Sequence, residues 1–191
     1  MKKIIIALGV VVITIAITMI IPGKTSAPEM SSTSISIPKA EVIKPKVSKT
    51  PVPEIPKMDL SAEDRAAKID SYFSARGMPL AGYGKTFIEA ADKYAIDWAL
   101  LPAISIAEST GGKKMCKNNP FGWASCRSGF ESIEEAIDYV SMNLGGQNPR
   151  TARAYSGDSR ADLQSYNGTV EPGYPAKVMR YMIEIMDSPL P

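Results

Sequence analysis

The chain has 191 residues, a formal net charge of +2, two cysteines and no histidine, which fits one domain with extensions. The lack of histidine excludes Ser-His-Asp and Cys-His catalysis and every histidine-based metal site, and two cysteines alone do not complete a structural zinc site. No cofactor or metal is therefore expected. Charge is unevenly spread: residues 1–58 carry eight lysines against Glu29, Glu41 and Glu54, whereas from Asp59 onward acids outnumber bases. The C-terminal part thus has no basic excess of the kind that binds nucleic acid.

Lys2 and Lys3 precede an uncharged stretch, residues 4–21, whose eighteen apolar or weakly polar positions reach the lower limit for spanning a bilayer. The two lysines favour a cytoplasmic N-terminus and an exported remainder. Residues 1–21 therefore read as an uncleaved signal anchor, with a cleaved signal peptide and a secreted product as the alternative. The apolar stretch is long for a cleavable signal, and Ser26-Ala27 runs into Pro28, a poor residue after a cleavage point. Residues 22–58 hold seven prolines among Ser, Thr, Lys and isolated Val or Ile. Such a stretch lacks the apolar density for a core and reads as a disordered, partly polyproline-like extracytoplasmic linker.

Residues 59–191 carry helical periodicity. Ser61 with Glu63 and Asp64 predicts a capped helix start, followed by an apolar stripe of Ala66, Ile69, Tyr72 and Phe73 that Arg76-Gly77 ends. A second helix is expected over residues 86–94, with Phe87, Ala90, Ala91 and Tyr94 inward. Asp97 can cap a third, running through Leu100, Leu101 and Ile104 to Glu108, with Pro102 either bending it or delaying its start. Gly111-Gly112 ends it. Residues 113–130 form an irregular segment. Ser132 and Glu135 make a capping box for a helix carrying Ile133, Ala136, Ile137, Val140 and Leu144. A short helix is expected around residues 161–166, and a last one from Pro175 through Val178, Met182 and Ile185. No alternating strand pattern appears, so the fold class is mainly α, with an irregular loop region.

Glu108 stands out within this pattern. Helical spacing puts it on the stripe of Leu101 and Ile104, where lost hydration and the helix C-terminus both disfavour a carboxylate's charged form. That is the setting a general acid uses, although a helix-end glutamate reaching water is the plainer alternative. Cys116 and Cys126 bracket Asn118-Asn119-Pro120-Phe121-Gly122-Trp123. Outside the cell they can form a disulfide that braces this loop, and two buried free thiols are the alternative.

These pieces together resemble the glucosaminidase branch of the lysozyme-like superfamily, whose members cleave bacterial peptidoglycan. Tyr94-Ala95-Ile96-Asp97 is similar to the family's approach to its catalytic glutamate, and Glu108-Ser109-Thr110-Gly111-Gly112 to its Glu-Ser-x-x-Gly. Asn118-Asn119-Pro120-Phe121-Gly122-Trp123 resembles the Asn-Asn-x-Phe-Gly loop of the sugar cleft. Tyr174-Pro175-Ala176-Lys177-Val178 resembles the closing tyrosine motif. Ser165-Tyr166-Asn167-Gly168 instead resembles an element of lytic transglycosylases, where the tyrosine sits beside the reacting sugar.

The resemblance implies a lysozyme-like domain acting on peptidoglycan glycan strands, with Glu108 as general acid and Tyr166 beside the reacting centre. Ser109, Asn118, Asn119, Phe121, Gly122, Trp123 and Tyr174 would then contact the substrate. Phe121 and Trp123 offer flat faces to sugar rings and the asparagines offer amides. Core packing is the alternative for Trp123 and Tyr166. No acid lies in residues 113–130 to serve as a second catalytic carboxylate, which favours attack by the sugar's own acetamido group. Hydrolysis, a transglycosylase outcome with anhydro products, and a non-catalytic peptidoglycan-gripping module all remain open at this point.

Overall fold

A computed structural model describes residues 53–56 and 58–191. The signal-anchor reading of residues 1–21 and most of the 22–58 linker lie outside them. Among the described residues no helix is long and apolar enough to cross a membrane.

The domain is mainly helical, with six α-helices and, among the described residues, no strand. Helix α1 (Ala62–Ala75) starts where expected: the Asp64 amide donates to Ser61 Oγ at 3.0 Å, and Glu63 and Asp64 occupy the first turn. Helix α2 (Gly84–Tyr94) begins two residues before the predicted start and has no side-chain cap of its own. Asp70 of α1 substitutes, its carboxylate accepting from the amides of Gly82 (2.7 Å) and Gly84 (2.9 Å). A side chain at position 84 would collide with Asp70 and the Ala66 carbonyl, so glycine is what lets α1 and α2 close together.

Helix α3 spans Leu100–Ser109. The proline delays its start: Pro102 lies in the first turn, where its missing N–H would have had no helical acceptor. Asp97 caps the turn before the helix by accepting from the Ala99 amide at 3.0 Å. Residues 100–106 are all buried, so α3 is enclosed on every side rather than amphipathic. Helix α4 (Ile133–Leu144) carries the predicted Ser132 cap, with the Glu135 amide donating to Ser132 Oγ at 3.1 Å. The reciprocal bond goes one residue earlier, from the Glu131 amide to Glu135 Oε2 at 2.6 Å. Helix α5 (Ser159–Leu163) is shorter than expected and runs into a wide turn, Gln164–Gly168. Helix α6 (Tyr174–Met186) has Pro175 in its first turn.

Helix α3 packs against α6 and α4, α1 against α2 and α6, and α2 against α4. Phe73, Phe87 and Phe121 form a run of ring contacts through the core, with centroids 6.1 and 6.3 Å apart. Helix α1 is tied to the end of α6 by Lys68 Nζ donating to the Ser188 carbonyl (2.6 Å) and Tyr72 donating to Glu184 (2.8 Å).

Two features fell outside the sequence reading. Ile55, assigned to the linker, packs against the hydrophobic core, so contact with the domain begins before Asp59. Residues Glu54, Ile55, Asp97, Trp98, Met179 and Met186 help to line a cavity of about 690 Å³ there. Asp162 is fully buried without a cation: its carboxylate accepts from the amides of Ser156 (2.9 Å) and Gly157 (3.1 Å). Burial pushes this carboxyl up, and the two amides pull the other way. Replacing Asp162 by alanine removes the acceptor of the Ser156 amide and one of the two acceptors of the Gly157 amide, which also donates to the Leu144 carbonyl at 2.9 Å, and is expected to lower stability by about 1–3 kcal/mol. Urea denaturation measures this, and a loss under about 1 kcal/mol would show that the 156–157 turn does not depend on the carboxylate.

Candidate functional site

Glu108 occupies the last turn of α3 and is half-buried. The helix closes immediately after it through left-handed residues Thr110, Gly111 and Gly112, with φ of 57°, 63° and 94°. Tyr174, at the first position of α6 and 1% exposed, donates its hydroxyl to Glu108 Oε1 at 2.6 Å. Burial first, and the adjacent Glu108 second, push the Tyr174 hydroxyl far above the ordinary tyrosine range, so it remains a donor. The other oxygen faces the 113–130 segment. A Cβ built on Gly122 would stand 2.7 Å from Glu108 Oε2, and Gly122 has φ of 64°. Glycine is required here both for its backbone conformation and for its missing side chain. Glu108 takes part in none of the ion pairs among the described residues.

The loop beside Glu108 is held by the residues that the sequence reading assigned to substrate. Ser109 Oγ lies 2.7 Å from the Pro120 carbonyl and 3.0 Å from the Ser105 carbonyl, and it accepts from the Gly112 amide at 3.0 Å. Asn119 is 1% exposed; its amide nitrogen donates to the Trp123 carbonyl (2.8 Å) and its oxygen accepts from the Trp123 amide (3.1 Å). Asn118 donates to the carbonyls of Phe130 (3.2 Å) and Glu131 (3.0 Å), which ties the loop to the approach to α4. Phe121 is 0% exposed and packs edge-on against Phe87. Phe121 and Asn119 therefore present nothing to a ligand, and Asn118 and Ser109 spend their polar groups on backbone. These four shape the loop rather than line a surface.

Trp123, Gly122 and Tyr166 do line a surface. Together with Ala124, Ser125 and Tyr155 they enclose an open groove of about 330 Å³. Trp123 contacts Tyr166 and Tyr155 with ring centroids 5.8 and 6.0 Å apart. Tyr166 stacks on Tyr174 at 6.2 Å and 3°, so the groove wall and the partner of Glu108 are adjacent rings. The Tyr166 hydroxyl donates to the Phe121 carbonyl at 2.6 Å, not to Glu108, and burial pushes it well above its ordinary range. Tyr174 thus holds the carboxylate, and Tyr166 braces both loop and tyrosine. Tyr155 went unnoticed in the sequence because it follows an irregular stretch with no periodic signal.

Cys116 and Cys126 form a disulfide, with Cα atoms 6.3 Å apart. It closes on a turn in which Ala124, Ser125 and Cys126 all have left-handed backbone, φ 53°, 55° and 56°. Three consecutive side-chain-bearing residues rarely adopt this conformation, at a cost on the order of 1 kcal/mol each. The bond, the Asn119 clamp and the Tyr166 hydroxyl keep the turn in place.

Two other acids near this region have partners of their own. Glu135 accepts from the Glu131 amide, and Asp138 accepts from Lys93 (2.7 Å) and Tyr94 (3.0 Å). No cluster of three or more His, Cys, Asp or Glu that could hold a metal ion occurs among the described residues. The arrangement is one carboxylate, oriented by a permanent hydroxyl donor, behind a rigid glycine at the edge of an aromatic groove. The chain matches no protein-family model and no curated protein.

Gly122→Ala is expected to lower stability by about 1–3 kcal/mol and to displace the Glu108 carboxylate, the first read by urea denaturation and the second by a crystal structure. An unmoved carboxylate would show that the loop, not the acid, yields. Reducing the disulfide removes a constraint on a short loop and is expected to cost roughly 2.5–3 kcal/mol in the chain-entropy model. Paired denaturation curves with and without reductant measure it, and coincident curves would contradict it.

Proposed function

We propose that this protein is a peptidoglycan-cleaving glycosidase with a lysozyme-like domain, in which Glu108 is the general acid. One observation carries the reading. Glu108 is half-buried, takes part in no ion pair among the described residues, accepts a 2.6 Å bond from Tyr174, and adjoins Gly122 at the edge of an aromatic groove. A merely structural helix-end glutamate needs neither a dedicated tyrosine donor nor a glycine that clears its second oxygen. The resemblance of Glu108-Ser109-Thr110-Gly111-Gly112 and the following Asn-Asn-Pro-Phe-Gly loop to the glucosaminidase branch agrees with this assignment.

In the proposed reaction a β-1,4-linked amino-sugar strand lies across Trp123 and Tyr166. Protonated Glu108 gives its proton to the leaving glycosidic oxygen as the bond to the anomeric carbon breaks. With no acid in residues 113–130, the sugar's own acetamido oxygen attacks that carbon and takes the place of a second carboxylate. Glu108, now ionised, serves as base. Removing a proton from water yields hydrolysis, and removing one from the sugar's 6-hydroxyl yields an anhydro product. The transglycosylase outcome draws support from Tyr166, whose ring abuts Tyr174. The apolar N-terminal stretch would tether the domain to the outer face of the membrane, within reach of the wall.

The test incubates the full-length protein with purified peptidoglycan and identifies released ends by mass spectrometry, beside Glu108→Gln. New reducing-end N-acetylglucosamine supports the glucosaminidase, and 1,6-anhydro-muramic ends support the transglycosylase. Glu108→Gln is expected to lose at least 100-fold in rate, the scale for removing a general acid. Retained sedimentation on peptidoglycan with no release by the unmodified protein would replace the enzyme reading with that of a binding module.

A further inference from the structure

Four of the six residues that line the groove, Gly122, Trp123, Ala124 and Ser125, lie inside the loop that Cys116 and Cys126 close. The two halves of that loop are held differently. The first half has ties of its own. Asn118 donates to the Phe130 and Glu131 carbonyls, Asn119 clamps the Trp123 backbone, and buried Phe121 accepts from the Tyr166 hydroxyl. Residues 124–129, by contrast, hold no buried side chain. Their hydrogen bonds stay within the turn, from the Ser125 amide to the Gly122 carbonyl (3.0 Å) and from the Arg127 amide and Nε to the Ala124 carbonyl (3.2 and 3.3 Å). Ala124, Ser125 and Cys126 nevertheless all keep the unfavourable left-handed backbone. Chain continuity aside, the disulfide is the one covalent or hydrogen-bonded tie from this half to the rest of the domain among the described residues.

That tie is open to chemistry. Both cysteines are only half-buried, and each is followed by an exposed cation, Lys117 after Cys116 and Arg127 after Cys126. No acid lies in residues 109–130 to offset them. Positive charge beside a disulfide attracts an attacking thiolate and stabilises the thiolate that leaves. Access and charge together are the setting of an exchangeable bond rather than of an inert staple.

We propose that the Cys116–Cys126 bond is a redox latch on the groove, opened by a dithiol and closed again by reoxidation. A thiolate of the dithiol attacks one sulfur, the S–S bond breaks, and the other cysteine leaves as a thiolate that takes up a proton. The second thiol of the dithiol then attacks the mixed disulfide and releases the remaining cysteine. Two electrons and two protons pass to the protein, which gains two thiols, while the dithiol becomes a disulfide. Reduction frees residues 124–126 to leave the left-handed region, and the groove loses Ala124 and Ser125 from its lining. Residues 118–123 stay with the core, so Glu108 keeps Tyr174 and Gly122 beside it. The latch therefore acts on binding and leaves the acid in place. It goes beyond the glycosidase reading, which enters only in the choice of ligand for the test.

The experiment compares full-length protein in its oxidised form, after reduction with dithiothreitol, and with Cys116→Ser and Cys126→Ser together. The indole N–H resonances of Trp123 and Trp98 report the groove and the opposite end of α3 separately by NMR. Reduction is expected to move the Trp123 resonance and to leave that of Trp98 in place. In a Glu108→Gln background, reduction is expected to weaken binding of soluble peptidoglycan glycan strands about tenfold, through lost preorganisation. With Glu108 intact, the cleavage rate at saturating strand is expected to change by less than about twofold. Reoxidation is expected to restore binding, and the double serine variant to bind weakly under both conditions. Replacing Lys117 and Arg127 by glutamine is expected to slow reduction several-fold. Unchanged affinity with an unmoved Trp123 resonance would overturn the proposal. Displacement of both indole resonances would also overturn it, because the bond would then be a staple of the whole fold. An unaltered reduction rate without the two cations would overturn it as well. If the oxidised protein neither binds nor cleaves the strands, the glycosidase reading fails and the Trp123 resonance alone decides the latch, movement on reduction supporting it and no movement overturning it.

Discussion

The hydrogen bond from Tyr174 to Glu108 joins the end of one helix to the beginning of another, and the rest of the site is arranged around it. Helix α3 is enclosed by apolar neighbours and emerges from the core only at its last turn. A carboxylate there has lost much of its water and sits at the unfavourable end of the helix. One buried hydroxyl, kept protonated by its own burial, is the compensation. The bond also fixes where α6 begins relative to α3, the helix pair that frames the centre of the domain. Core packing and the disposition of the acid are therefore one problem with one solution.

The loop on the other side of Glu108 shows a division of labour between neighbours in sequence. Phe121 turns inward and anchors, Gly122 clears the carboxylate, and Trp123 turns outward to the groove. Three successive positions thus serve core, acid and surface. The left-handed turn that follows is unfavourable on its own and persists because the disulfide, Asn119 and Tyr166 each fix a different part of it.

Much of the fold was legible in the sequence because local chemistry decided it. Ser61 and Ser132 announce their helices through caps that act over three residues, and Pro102 and Pro175 mark first turns. The helix start that escaped, at Gly84, is capped by Asp70 from another helix, and nothing near residue 84 encodes that. Glu108 stood out for the same local reason, since its spacing from Leu101 and Ile104 is written in the sequence. The roles of its companions were not. Whether an asparagine faces a sugar or its own backbone depends on where the chain four residues on has gone, and Asn119 is consumed by Trp123. Phe121 and Trp123, two residues apart in an irregular segment, gave no periodic clue to which one is buried. Tyr174 was noticed as part of a motif, but its bond to Glu108 spans sixty-six positions and exists only in the folded chain.

The packing of Ile55 gives the domain a polarity. Ile55 lines a cavity with Asp97 and Trp98, just before α3 begins, while Glu108 lies at the far end of that helix. A ten-residue helix is about 15 Å long, so the incoming chain and the acid are held at opposite poles of one rigid rod. A change of residue at Ile55 is therefore felt first at the start of α3, about one helix length from the Tyr174–Glu108 bond.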